Sequence, residues 1–176
     1  MSGLAAARVL SLLQERGQTL ATAESLTGGL IAELLTDVPG ASRSYVGGLV
    51  TYATRLKSAL AGVEQQTLDR LGPVAGPTAQ QMATGVATRC EADWGLSATG
   101  VAGPDEQDGH PVGQVYVGVA QPLQGYHHVL ELRLTGTRQE IRRQAADRAL
   151  ELLTKVLGMQ RPADRVDEKE SLRRGP

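Results

Sequence analysis

The sequence predicts an α/β protein, a three-layer α/β/α sandwich around a mixed, mostly parallel sheet, and three observations carry that expectation. Short runs with strand character alternate with helical apolar patterns from Leu4 to Ala98; two alternating Val/Leu segments follow as a meander; and a long helical stripe closes the pattern over residues 138–157. Strands separated by helices favour parallel pairing with helices on both faces, and a terminal meander adds antiparallel strands to the same sheet. At 176 residues and 41% hydrophobic content the chain has the material for one core. We expect one domain over residues 1–158 and a disordered tail over 159–176, where the chain is charged, mixed in sign and nearly without apolar residues.

Taken in order, Leu4, Ala7, Val9, Leu10, Leu12 and Leu13 keep helical spacing, and Gly17 stands where a left-handed cap would end that helix. Residues 19–23 are a short threonine-rich strand. Leu26, Leu30, Ile31, Leu34 and Leu35 then recur as a second helix, up to the Asp37-Val38-Pro39-Gly40 turn. Residues 45–52, rich in Val, Leu, Thr and Tyr, form the next strand, with a short helix at 55–60 and another helical turn at 64–71. Gly72-Pro73 and Gly76-Pro77 break the chain, a helix runs from Thr78 to about Glu91, and 94–98 is a short apolar strand. A loop at 99–112 leads to the strand 113–120, where Val115, Val117 and Val119 alternate. A turn at 123–126 and a partner strand at 129–134 follow. The last helix buries Ile141, Ala145, Ala149, Leu152, Leu153 and Val156, and Gly158 is expected to stop it.

Composition removes several classes of function. A net charge of −1, spread over interleaved acids and bases, provides no basic face for nucleic acid or for an anionic membrane. The one cysteine, Cys90, allows no internal disulfide, and no apolar run approaches the roughly 20 residues that span a bilayer. The first residues have neither the basic start nor the apolar core of a signal peptide, so a cytoplasmic protein is expected. Aromatics make up 3%, with no Phe, so the core is aliphatic and Ala-rich.

In open α/β sheets, ligands bind beyond the carboxyl ends of the strands. Three segments leave an expected strand at that end: Ala23-Glu24-Ser25-Leu26-Thr27-Gly28-Gly29, Thr51-Tyr52 running on to Lys57, and Thr99-Gly100-Val101-Ala102-Gly103-Pro104. If the strands are parallel neighbours, all three meet at one edge. Ser25 would then stand at a strand-to-helix corner, Lys57 could serve as its base if burial lowers its pKa, and Tyr52 could relay the proton. Oxyanion donors would be backbone amides around Thr27, Gly28 and Gly29, or those of the Thr99-Gly100 turn. Taken alone, Ser-x-Thr-Gly-Gly reads first as a helix cap followed by turn glycines, and Lys57 alone as a solvated charge on a helix; the company of the other segments shifts both readings.

Rival sites are thinner. A Ser-His-Asp triad needs one of His110, His127 and His128; the last two, adjacent on a strand, face opposite ways and each reads as a surface residue. Neither His110 nor Cys90 has partners at zinc-ligand spacing. Asp105 and Asp108 read as a solvated acidic loop before they read as a Mg²⁺ site, and no metal is expected. The phosphate-binding G-x-x-x-x-G-K-[ST] and dinucleotide-binding G-x-G-x-x-G patterns are both absent from the sequence.

The motif around Ser25, followed by Pro39-Gly40-Ala41-Ser42, Gly48-Leu49-Val50-Thr51-Tyr52 with Lys57, Thr99 to Asp105, Pro111-Val112-Gly113 and Ile141-Arg142, resembles the CinA carboxy-terminal domain family from about Leu4 to Leu157. That resemblance implies a nicotinamide-nucleotide amidase, which hydrolyses the carboxamide of nicotinamide mononucleotide to nicotinic acid mononucleotide and ammonia without a cofactor. It implies Ser25 as acyl nucleophile with Lys57 and Tyr52 activating it. Thr27, Gly28, Gly29, Thr99, Gly100, Ala102 and Gly103 would line the substrate pocket, and Arg142 would hold the phosphate. The chain departs from the family pattern at Tyr52-Ala53-Thr54, where Tyr-Ser-Asn is usual, and at Gly72-Pro73-Val74-Ala75, where Gly-Ala-Val-Ser is usual. The expected partner is a small-molecule nucleotide, with homo-oligomerisation open. A non-catalytic nucleotide-binding module and an interaction protein linked to competence or DNA damage are the alternatives.

Overall fold

The structure, a computed structural model, describes residues 2–159, so all of the expected tail except Met159 lies outside the described residues. In chain order the elements are α1 (Ser2–Arg16), β1 (Leu20–Glu24), α2 (Leu30–Thr36), β2 (Tyr45–Val50), α3 (Thr54–Ala59), α4 (Gln65–Leu71) and α5 (Gly76–Arg89). They continue with β3 (Trp94–Gly100), β4 (Gln114–Gln121), β5 (Tyr126–Arg133) and α6 (Arg138–Met159).

One five-stranded sheet has the order β2-β1-β3-β4-β5. The β1–β2 and β1–β3 pairings are parallel; β3–β4 and β4–β5 are antiparallel. Four strands therefore run one way and β4 alone is reversed, which is the mixed sheet the meander predicts. All five residues of β1 are buried, as a strand covered on both faces requires, and this is why it shows no polar alternation in the sequence.

The two faces differ in the size of what they bury. Leu20, Trp94, Leu96, Val115, Val117 and Val119 point toward α1, α2 and α6 and form the larger core with Leu10, Leu13, Ile31, Leu150 and Leu153. On the opposite face Ala21 and Ala23 meet Met82 and Val86 of α5. Small residues there bring α5 onto the sheet at backbone distance: a Cβ on Gly95 would fall 1.8 Å from the Ala83 carbonyl oxygen, and Ser97 Oγ donates to Ala79 O at 2.6 Å. Gly95→Ala is therefore expected to cost about 1–3 kcal/mol, the usual penalty for an overpacked core. Urea denaturation reads this directly, and an unchanged midpoint would mean that α5 lifts off the sheet freely.

Several boundaries differ from expectation for identifiable reasons. The second helix starts at Leu30, not at Leu26, because Gly28 (φ +59°) and Gly29 (φ +104°) make a left-handed turn in which Gly28 N donates back to Ser25 O. The fifth begins at Gly76, before the expected Thr78, since Pro77 in a first helical turn forfeits no hydrogen bond. The last helix continues through Gly158 to Met159: one helical glycine costs about 1 kcal/mol, little against the apolar stripe that docks α6. The second strand stops at Val50, short of the expected Tyr52.

Candidate active site

The parallel register sets Glu24 opposite both Val50 and Ala98, so the residues that follow β1, β2 and β3 share one edge. Backbone bonds stitch them together there: Ser25 N donates to Ala98 O at 2.9 Å and Thr51 N to Glu24 O at 2.8 Å. The convergence expected from the sequence is present in the structure.

Ser25 and Lys57 meet at this edge. Ser25 is 8% exposed and Lys57, on the short helix α3, only 1%. Lys57 Nζ donates to Ser25 Oγ at 3.0 Å and to Thr51 O at 2.8 Å, and among the described residues it has no carboxylate partner. Burial without a counter-charge disfavours the ammonium and lowers the pKa to about 8. Lys57 is thus no solvated charge, and a useful fraction of it is a neutral amine near pH 7–8.

Glu24 is the residue that the sequence reading missed. Its buried carboxylate accepts N–H bonds from Gly29 at 3.0 Å, Ile31 at 3.1 Å and Ala32 at 2.8 Å, and so caps α2 from inside the core. A glutamate ending an Ala- and Thr-rich strand just ahead of a Gly-Gly turn was the available signal. The cap takes the Gly29 amide, and the turn takes that of Gly28, so neither is free to serve an oxyanion. Among the described residues, the amides of Leu26, Ala102 and Gly103 donate to no protein acceptor, and all three residues line the cleft beside Ser25.

That cleft has a volume of about 110 Å³. Of the residues named from the sequence, Ser25, Lys57, Tyr52, Thr99, Gly100, Ala102 and Gly103 are on its wall; Thr27, Gly28, Gly29 and Arg142 are not. Arg142 instead straps α6 to the turn after the serine, its Nε donating to Leu26 O at 2.8 Å and one terminal nitrogen to Thr27 O at 2.9 Å. One helical turn earlier, Arg138 reaches the cleft, donating to Gly103 O and to Tyr52 Oη, each at 2.7 Å. Tyr52 stands at the rim, 58% exposed, with its hydroxyl engaged by Arg138 and no hydrogen bond to Lys57 or Ser25. Thr99 Oγ1 donates to Pro73 O at 2.6 Å and so holds the 72–75 segment, whose Pro73 and Val74 form another wall. His127 and His128 are exposed on β5, and His110, which does not line the cleft, pairs through Nδ1 with Gln114 Oε1 at 3.0 Å.

Fold and site together define an α/β sandwich with a buried serine–lysine pair in a cleft at the carboxyl edge of parallel strands. The chain belongs to the CinA C-terminal domain family, which it matches over residues 4–157. It is 46% identical over 150 residues to a CinA-like protein of Acidobacterium capsulatum, covering 85% of this chain and 36% of that protein. A CinA-like protein of Frankia casuarinae is 47% identical over 149 residues, with 85% and 34% covered. The chain thus spans about a third of the length of the curated relatives it matches. Among crystal structures, the competence/damage inducible protein CihA from Agrobacterium tumefaciens superposes with a TM-score of 0.84 at 36% identity, over 90% of this chain and 96% of its own. A CinA superfamily protein from Klebsiella pneumoniae gives 0.86 at 30% identity, over 91% and 99%.

Proposed function

We propose that the protein is an amidohydrolase that converts the carboxamide of nicotinamide mononucleotide to the carboxylate of nicotinic acid mononucleotide, releasing ammonia. The observation that carries this reading is the 3.0 Å contact between Lys57 Nζ and Ser25 Oγ in a buried setting without a carboxylate. Neutral Lys57 takes the serine proton as Oγ attacks the amide carbon, and it returns that proton to the departing nitrogen. The developing oxyanion is met by free backbone amides among those of Leu26, Ala102 and Gly103. Water then cleaves the ester on Oγ, with Lys57 again as base. Tyr52 acts from the rim, through Arg138, and not as the proton relay.

The cleft volume falls below the roughly 300–1,000 Å³ of pockets that enclose a drug-sized ligand. Only the amide-bearing end of a nucleotide enters, and the ribose phosphate lies across the mouth. Arg138 is the guanidinium stationed there, and a planar fork of donors suits a phosphate. No helix among the described residues is long and apolar enough to cross a membrane. The direct test is ammonia release from a panel of pyridine nucleotides and nucleosides, with and without a metal chelator. Release from the mononucleotide, unaffected by chelator, is expected. A protein that binds the nucleotide but releases nothing would be a binding module instead.

A further inference from the structure

The charge pattern of the cleft is not explained by a phosphate alone. Its wall contains one carboxylate, Asp105, which forms neither a hydrogen bond nor an ion pair with any described residue. Of the two cations on the same wall, Arg138 is bound to Gly103 O and Tyr52 Oη, and Lys57 to Ser25 Oγ and Thr51 O. Asp105 is exposed to solvent at the edge of the cleft. It sits between Gly103-Pro104 and a tight hairpin closed by Gln107 N donating to His110 O at 3.1 Å and His110 N to Gln107 O at 2.8 Å, with Asp108 and Gly109 at the tip. The same wall bears Tyr52, an exposed ring whose hydroxyl is tethered by Arg138. An unpaired carboxylate and a fixed aromatic face in one small cleft are the elements that recognise a planar organic cation.

We propose that Asp105 is a specificity-determining residue that selects a positively charged, N-substituted pyridinium ring over an uncharged ring of the same shape, with the Tyr52 ring as the second surface against that cation. This deepens the amidase reading and rests on it for the orientation of the ligand. The carboxamide end reaches Ser25, the cationic ring passes Asp105, and the anionic end meets Arg138. A ligand with both charges thus finds its complement in order along the cleft, and wrong orientations set like charges together.

The test compares nicotinamide mononucleotide with its reduced dihydropyridine form, which keeps the ribose phosphate and the carboxamide but has an uncharged ring. Calorimetric titration of Ser25→Ala protein, which holds ligand without turning it over, is expected to show at least about a tenfold preference for the cationic form. Adding Asp105→Asn is expected to abolish that preference by weakening the cationic form about tenfold and leaving the reduced form unchanged. Equal binding of the two forms by Ser25→Ala protein, equal weakening of both by Asp105→Asn, or no detectable binding of either overturns the proposal. Wild-type protein that shows the charge preference yet releases no ammonia would refute the amidase reading alone. Wild-type protein that hydrolyses both forms with equal kcat/KM would refute charge selection alone.

Discussion

Ser25→Ala protein is expected to lose on the order of a hundredfold or more in turnover, about 3 kcal/mol or more of transition-state stabilisation, while nucleotide binding survives. The distinction at stake is between an acyl-enzyme and direct attack of water on the bound amide. Ser25 Oγ lies 3.0 Å from its prospective base, inside a cleft also lined by Tyr52, Thr99 and Asp105. Removing the hydroxyl deletes the nucleophile but leaves those groups and Arg138 in place. Hydroxylamine added to wild type should divert the ester to a hydroxamate detectable by mass spectrometry. Wild-type turnover by the alanine variant would reduce Ser25 to a turn residue and end the mechanism.

Lys57→Arg should fall as steeply. The guanidinium keeps a charge and donors but does not deprotonate at working pH, so the base disappears. On the amidase proposal the active species in wild type is the neutral amine, and burial lowers the Lys57 pKa to about 8. The rate should therefore rise about tenfold per pH unit below that value and level off above it. Circular dichroism separates lost chemistry from a lost fold, since arginine is bulkier than the lysine it replaces in a fully enclosed position. Near wild-type turnover in the arginine variant, or a pH–rate profile flat from 6 to 9, would reassign Lys57 to a purely structural role.

The strands and their edge were readable because each signal is local. Val115, Val117 and Val119 alternate, and the turn residues punctuate the chain where it reverses. The burial of Lys57 was not readable: α3 has six residues, too few for periodicity to reveal which side faces inward. Arg138 and Arg142 are four residues apart and so lie along the same side of α6. Pattern alone does not say which guanidinium reaches the mouth, and the structure gives that place to Arg138. Glu24 stayed hidden for a different reason. Its partners are the amides of Gly29, Ile31 and Ala32, brought to it by a left-handed turn at Gly28 and Gly29; the glutamate before the Gly-Gly pair marks the place, but hydrophobic periodicity does not reveal such bonds.

The enclosure of Lys57 also sets a limit on the protein's own stability. In the folded state its pKa is about 8, against 10.5 for an unperturbed lysine, so between these values the unfolded chain binds more protons than the folded one. Stability consequently rises with pH through that window. Below about pH 8 the folded molecule bears the full cost of an ammonium removed from water, and above about 10.5 that cost is gone. Chemical denaturation at pH 7 and pH 9.5 should show the higher midpoint at the alkaline value once Lys57→Met protein, which has no such group, is subtracted as background; an equal difference in both proteins would count against it. At neutral pH the lysine proposed to activate the serine is a standing electrostatic strain on the fold, and on that proposal selection for a more robust molecule and selection for a better base pull this one position in opposite directions.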